Sequence, residues 1–84
     1  MIEWDEAKRR TNIAKHGVDF AIAADFQWDG ALVGEDDRFD YGETRYVAIG
    51  KIGTRTYTMI FTERGTNVRV ISLRPARRDE RKML

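Results

Sequence analysis

The 84-residue chain carries a formal net charge of +1, with 42% hydrophobic residues, 35% charged residues and one proline; this excludes disorder and leaves room for one domain, residues 1–84. It has no cysteine, so it builds neither a disulfide nor a thiolate zinc site. No apolar run approaches the roughly 18 residues of a membrane span, and the acidic start Met1–Glu6 is unlike a signal peptide, so a soluble cytoplasmic protein is expected.

Ile2 to Trp4 reads as a short strand. Asp5 sits where a helix N-cap belongs, and Glu6 complements the dipole of the first turn. The helix it opens runs to His16. Its apolar stripe is weak, and Gly17 stands at the position where helices turn left-handed to stop. Asp19 caps a second short helix, Phe20 to Phe26, and Trp28-Asp29-Gly30 reads as its exit and turn. Ala31 to Val33 supplies one more short strand. Arg45 to Ile52 is a strand broken by Gly50. Arg55 to Thr62 alternates, with Tyr57, Met59 and Phe61 on one face and threonines on the other. Asn67 to Arg74 follows, with Val68 and Val70 facing one way and Arg69, Ile71 and Leu73 the other. Pro75 ends it and suits the first turn of a basic C-terminal helix. The order β-α-α-(β)-β-β-β-α predicts an α+β fold of two layers, helices on an antiparallel sheet.

Charge divides the chain. Asp25 to Glu43 holds seven acids against Arg38 alone, net −6, whereas Arg64 to the end holds seven bases against Asp79 and Glu80, net +5. A basic tail on so small a domain suits a polyanion, or else forms a solvated face. The phosphate-cradling, dinucleotide and HExxH motifs are absent, and the only serine, Ser72, lies mid-strand. One histidine among scattered acids does not make a metal site, so neither metal nor cofactor is expected. Arginine remains. Guanidinium groups hold phosphate through paired donors, and Arg64 and Arg74 are the candidates for gripping a phosphate as its charge develops. Arg69 and Arg74 have opposite parity, so a regular strand separates them. His16 is the one group whose ordinary pKa lies near neutrality, but it also suits a helix C-terminus as a plain cation. Glu80 is a candidate base, or a surface partner of Arg77 one helical turn away.

The stretches Trp4-Asp5-Glu6-x-Lys8, Asn12-x-x-Lys15-His16-Gly17-Val18-x-Phe20, Gly42-Glu43-x-Arg45, Arg69-x-Ile71-Ser72-x-Arg74-x-Ala76 and Glu80-Arg81 resemble the BrnT family of bacterial toxins, in the family's order and across nearly the whole chain. The resemblance implies a RelE-like fold and a ribonuclease that arrests growth. It also implies a BrnA-type antitoxin with a ribbon-helix-helix domain, which forms with the toxin a complex that represses their operon through operator DNA. Two departures stand out: Leu73 where relatives have a small residue, and Leu84 where they usually have a tyrosine.

The expected chemistry is metal-independent RNA cleavage by the substrate's own 2′-hydroxyl. Arg64 and Arg74 hold the phosphate, Glu80 or His16 acts as base, and the other, or Lys15, acts as acid. Lys15, Arg45, Arg69, Arg77 and Arg78 are the candidates for binding the RNA backbone. The rival readings are a silent module that only binds an antitoxin, and a nucleic-acid-binding domain that does not cut.

Overall fold

In the computed structural model, which describes residues 1–84, five strands form one sheet in the order β1-β5-β4-β3-β2. The strands are β1 (Ile2–Trp4), β2 (Gln27–Asp36), β3 (Arg45–Ile52), β4 (Arg55–Arg64) and β5 (Asn67–Pro75). Between β1 and β2 come helix α1 (Glu6–His16) and a 3-10 helix (Phe20–Asp25), and α2 (Arg78–Arg81) follows β5. The α+β class is as expected, with a RelE-like arrangement of helices on a mostly antiparallel sheet. The exception is β1, which runs parallel to β5. No helix is long and apolar enough to cross a membrane.

The ends of α1 form as its sequence dictates. Asp5 accepts a hydrogen bond from the Lys8 amide at 3.1 Å, and Gly17, at φ +70°, donates its N–H to the Ile13 carbonyl. The helix has almost no apolar face, and Asn12 is its one buried residue. Polar contacts therefore dock it. The Asn12 amide donates to the Leu73 carbonyl at 2.7 Å and accepts from the Leu73 N–H at 3.1 Å, pairing with β5 much as a strand would. Strand β1 covers this edge only from Val68 to Val70, so Asn12 satisfies backbone groups farther along that would otherwise be unpaired. It also donates to the Val18 carbonyl, which fixes the chain as it leaves the helix.

The core lies on one face of the sheet. Phe20 and Ala23 from the 3-10 helix, with Phe26 just beyond it, pack against Ala48, Met59, Phe61, Val70 and Leu73. Farther along this face the covering runs out, leaving an apolar groove of about 360 Å³ lined by Trp28, Val33, Tyr46, Phe61 and Val68.

Four local expectations are corrected. Trp28-Asp29-Gly30 is not a turn but the early part of a ten-residue β2, whose pairing with β3 is irregular between Gln27 and Leu32. Gly50 does not break β3; a Cβ there would lie 2.6 Å from the Phe26 ring, so glycine admits the ring while the strand runs on. Pro75 closes β5 opposite Tyr57, and α2 begins only at Arg78, too late for the proline to fill its first turn. In β5, finally, the alternation is interrupted. Ile60 pairs with Ser72 and Phe61 with Val70, so Ile71 is an extra residue. This bulge moves Leu73 to the core face beside Val70. Arg69 and Arg74 consequently share the opposite face, in register with Thr62 and Thr58.

Candidate active site

The face of the sheet away from the core is open. Three adjoining depressions of about 330, 330 and 260 Å³ run across it, from the side of α1 over β5 and β4 to the β2–β3 loop. The central one has an apolar floor of Ile60 and Ile71. Its walls carry Lys15 and His16 from the end of α1, Arg74 and Arg77 from the end of β5 and just beyond, and Arg45 from β3. The bulge at Ile71 is what turns Arg74 into this cleft, and the Asn12–Leu73 pairing sets the last turn of α1 beside Ser72.

Arg74 is held by a forked ion pair. Its two terminal nitrogens donate to the two carboxylate oxygens of Glu80 at 2.7 and 2.8 Å. Glu80 is only 9% exposed, and it also accepts from the Thr58 hydroxyl at 3.0 Å and the Arg77 amide at 2.8 Å. These donors, Arg74 foremost, hold its carboxyl at a pKa of about 2 against an ordinary 4.5. A carboxylate so fully engaged has little proton affinity. It suits the task of fixing a guanidinium better than that of removing a proton.

His16 is in the reverse condition. Burial, followed by the positive charges of Lys15 and Arg74, pushes its pKa below 6.5. At neutral pH the imidazole is therefore unprotonated and free to accept a proton, at the edge of a cleft whose arginines attract anions.

Of the expected residues, Lys15, His16, Arg45, Arg74 and Arg77 line this one cleft, and Glu80 stands behind Arg74. Arg64 does not meet Arg74. It pairs across the β4–β5 turn with Asn67, whereas Arg74 lies opposite Thr58, six residues back along β4 and about 20 Å away at the usual rise per residue. Its guanidinium reaches Glu43 at 3.5 Å. Arg69 shares the face but donates to Glu3 at 2.8 Å, over the β1 end of the sheet. Arg78 begins α2 as an exposed residue outside the cleft.

Residues that sequence reasoning passed over complete the site. Asp36, at the end of β2, has its side chain only 3% exposed and accepts from Arg38 at 2.8 and 3.0 Å and from the Tyr41 hydroxyl at 3.2 Å. Arg38 and Tyr41 both face the cleft, and the Arg45 guanidinium lies 4.1 Å from the centre of the Tyr41 ring. The one visible signal was Arg38, a lone base in an acidic run. Leu84 lies elsewhere, in a depression with Gln27 and Lys51. No three His, Cys, Asp or Glu side chains gather as a set that could hold a metal ion.

The family model described as "Ribonuclease toxin, BrnT, of type II toxin-antitoxin system" matches residues 4–80, which include every cleft residue named above. A comparison with curated proteins gives no match.

Proposed function

Since the chain belongs to the BrnT family of ribonuclease toxins of type II toxin–antitoxin systems, we propose that the basic cleft is where it cuts RNA, and that the RNA's own 2′-hydroxyl makes the cut. The observation that carries this reading is that one cleft holds both His16, its pKa lowered by burial, and an Arg74 locked in place by Glu80. Neutral His16 takes the proton from the 2′-hydroxyl as that oxygen attacks the adjacent phosphorus. The bond to the 5′-oxygen breaks, and the Lys15 ammonium supplies the proton that this leaving oxygen needs. The products are a 2′,3′-cyclic phosphate and a 5′-hydroxyl. Arg74 and Arg77 hold the non-bridging oxygens as negative charge builds on them, and Arg45 and Lys15 extend the grip along the backbone. No divalent ion takes part in this scheme.

The partner in this reading is a BrnA-like ribbon-helix-helix antitoxin, through which the complex contacts operator DNA and represses its own operon. The uncovered apolar groove behind the sheet supports a protein partner, since a domain of this size gains by having such a surface buried. Action on RNA places the work in the cytoplasm.

The test is incubation of the purified protein with a fluorescent single-stranded RNA in EDTA, with analysis of the product ends. Arg74→Lys keeps a cation beside Glu80 without the fork, and Arg74→Ala removes it. Both are expected to slow cleavage, the alanine variant by roughly 100- to 1,000-fold. Arg64→Ala is expected to cut as the wild type does. Ends other than cyclic phosphate, or equal losses at Arg64 and Arg74, would defeat the mechanism.

A further inference from the structure

The loop between β2 and β3 presents Phe39 with 68% of its surface exposed, between Arg38 and Tyr41, which line the basic cleft. Nothing in the core accounts for it. Its only aromatic neighbour is Tyr41, edge-to-face at 5.9 Å. The residues on either side of it are nevertheless tightly held. Arg38 donates from its backbone N–H and its guanidinium to Asp36, and the Tyr41 hydroxyl donates to the same carboxylate. Both ends of this short arc are therefore pinned to one nearly buried acid, and the ring between them is held outward. What sets this ring apart is that the arc carrying it is anchored on both sides, so its exposed face is held ready for a ligand.

The surroundings say which ligand. The ring stands beside Arg38, next to the cleft that holds Arg45, Arg74 and Arg77. Of the acids near the ring, Asp36 is engaged by Arg38 and Glu43 is paired with Arg45 at 3.1 Å and with Arg64 at 3.5 Å, while Asp37 and Asp40 stand exposed to solvent on the loop itself. An exposed aromatic ring on a loop whose Arg38 and Tyr41 line an arginine-rich cleft matches single-stranded nucleic acid, where bases stack while arginines track the phosphates. We propose that Phe39, pinned in place through Arg38 and Tyr41, is a stacking platform for an RNA base next to the cleaved phosphate. The proposal rests on the ribonuclease reading and adds to it a base-binding position on the β2–β3 loop.

The probe is a short single-stranded RNA, 2′-O-methylated so that it cannot be cut, with the fluorescent base 2-aminopurine placed at successive positions. Stacking quenches that fluorescence. Wild-type protein is expected to quench it at one position. Phe39→Ala should abolish the quench and weaken binding roughly 5- to 100-fold, whereas Phe39→Trp should retain both. The slope of affinity against salt should not change, because no phosphate contact is lost. The exposed position makes a folding defect in Phe39→Ala unexpected, and thermal denaturation checks this directly.

Equal quenching and affinity in wild type and Phe39→Ala would overturn the proposal while leaving the ribonuclease reading intact. So would intact RNA binding combined with lost neutralisation by the antitoxin, which would make Phe39 a protein contact. A wild-type protein that neither binds nor cuts RNA would remove the ribonuclease reading itself, and the proposal with it.

Discussion

Replacing Glu80 with glutamine tests the centre of the site, because it keeps shape and volume and removes one charge. In the native chain the Glu80 carboxyl titrates at about 2 against an ordinary 4.5. At about 1.4 kcal/mol for each pH unit, that lowering corresponds to roughly 3 kcal/mol of stability. Because the folded pKa lies below the unfolded one, this contribution is complete above pH 4.5 and fades as the pH falls toward 2. Glu80→Gln should therefore be less stable than the wild type in urea denaturation at pH 7 by about 2–3 kcal/mol. The gap should close as the pH is lowered from about 5 toward 2, where wild-type Glu80 also becomes neutral. Cleavage should slow as well, because Arg74 loses the fork that aims it. A stability gap of the same size at pH 3 and pH 7 would refute the reasoning, since the loss would then not come from the carboxylate's charge. An unchanged rate would show that Arg74 does not need Glu80 to be placed.

The remaining predictions concern the other supports of the site. His16→Ala should lower the cleavage rate by roughly 100- to 10,000-fold with little change in melting temperature, and the acid limb of the wild-type pH–rate profile should fall below pH 6.5, the ordinary histidine value. Asn12→Ala leaves the Leu73 N–H and carbonyl without their partner, and should cost about 2–4 kcal/mol in denaturant titration. Asn12→Asp should fare no better, since a carboxylate can accept from the Leu73 N–H but cannot donate to its carbonyl. Gly50→Ala drives a methyl group into the Phe26 ring, and should lower stability by roughly 1–3 kcal/mol as read by thermal denaturation.

Where a feature depends on neighbours in the chain, the sequence reveals it. Asp5 and Gly17 mark the ends of α1 because capping is decided within a turn, and the alternation of Tyr57, Met59 and Phe61 marks β4 because these three side chains lie in the core. What depends on pairing across the sheet is not legible. Strict alternation puts Arg69 and Arg74 on opposite faces and Leu73 away from the core; a single extra residue at Ile71, visible only in the register of β5 against β4, reverses both. Gly50 has the same local appearance whether it breaks a strand or admits an aromatic ring from a distant segment, and only the position of Phe26 decides.

The candidate site divides along the same line. Its residue types are readable, because a chain with no cysteine, no metal motif and its one serine in mid-strand leaves arginine and one histidine for phosphate chemistry. Which arginine takes part is a question of distance along a strand, and there Arg64 stands six residues along β4 from Thr58, the partner of Arg74. Glu80 shows the deeper limit. As one of two carboxyls late in a basic tail it has the appearance of a candidate base, and in the fold it has four donors and little proton affinity left. In the proposed mechanism the proton acceptor is then His16, whose neutral form is favoured by burial, by Lys15 and by the same Arg74 that Glu80 secures. In that mechanism, base and phosphate grip are coupled through one guanidinium. A change at Glu80 should accordingly be felt in the pH dependence of His16 as well as in the hold on phosphate.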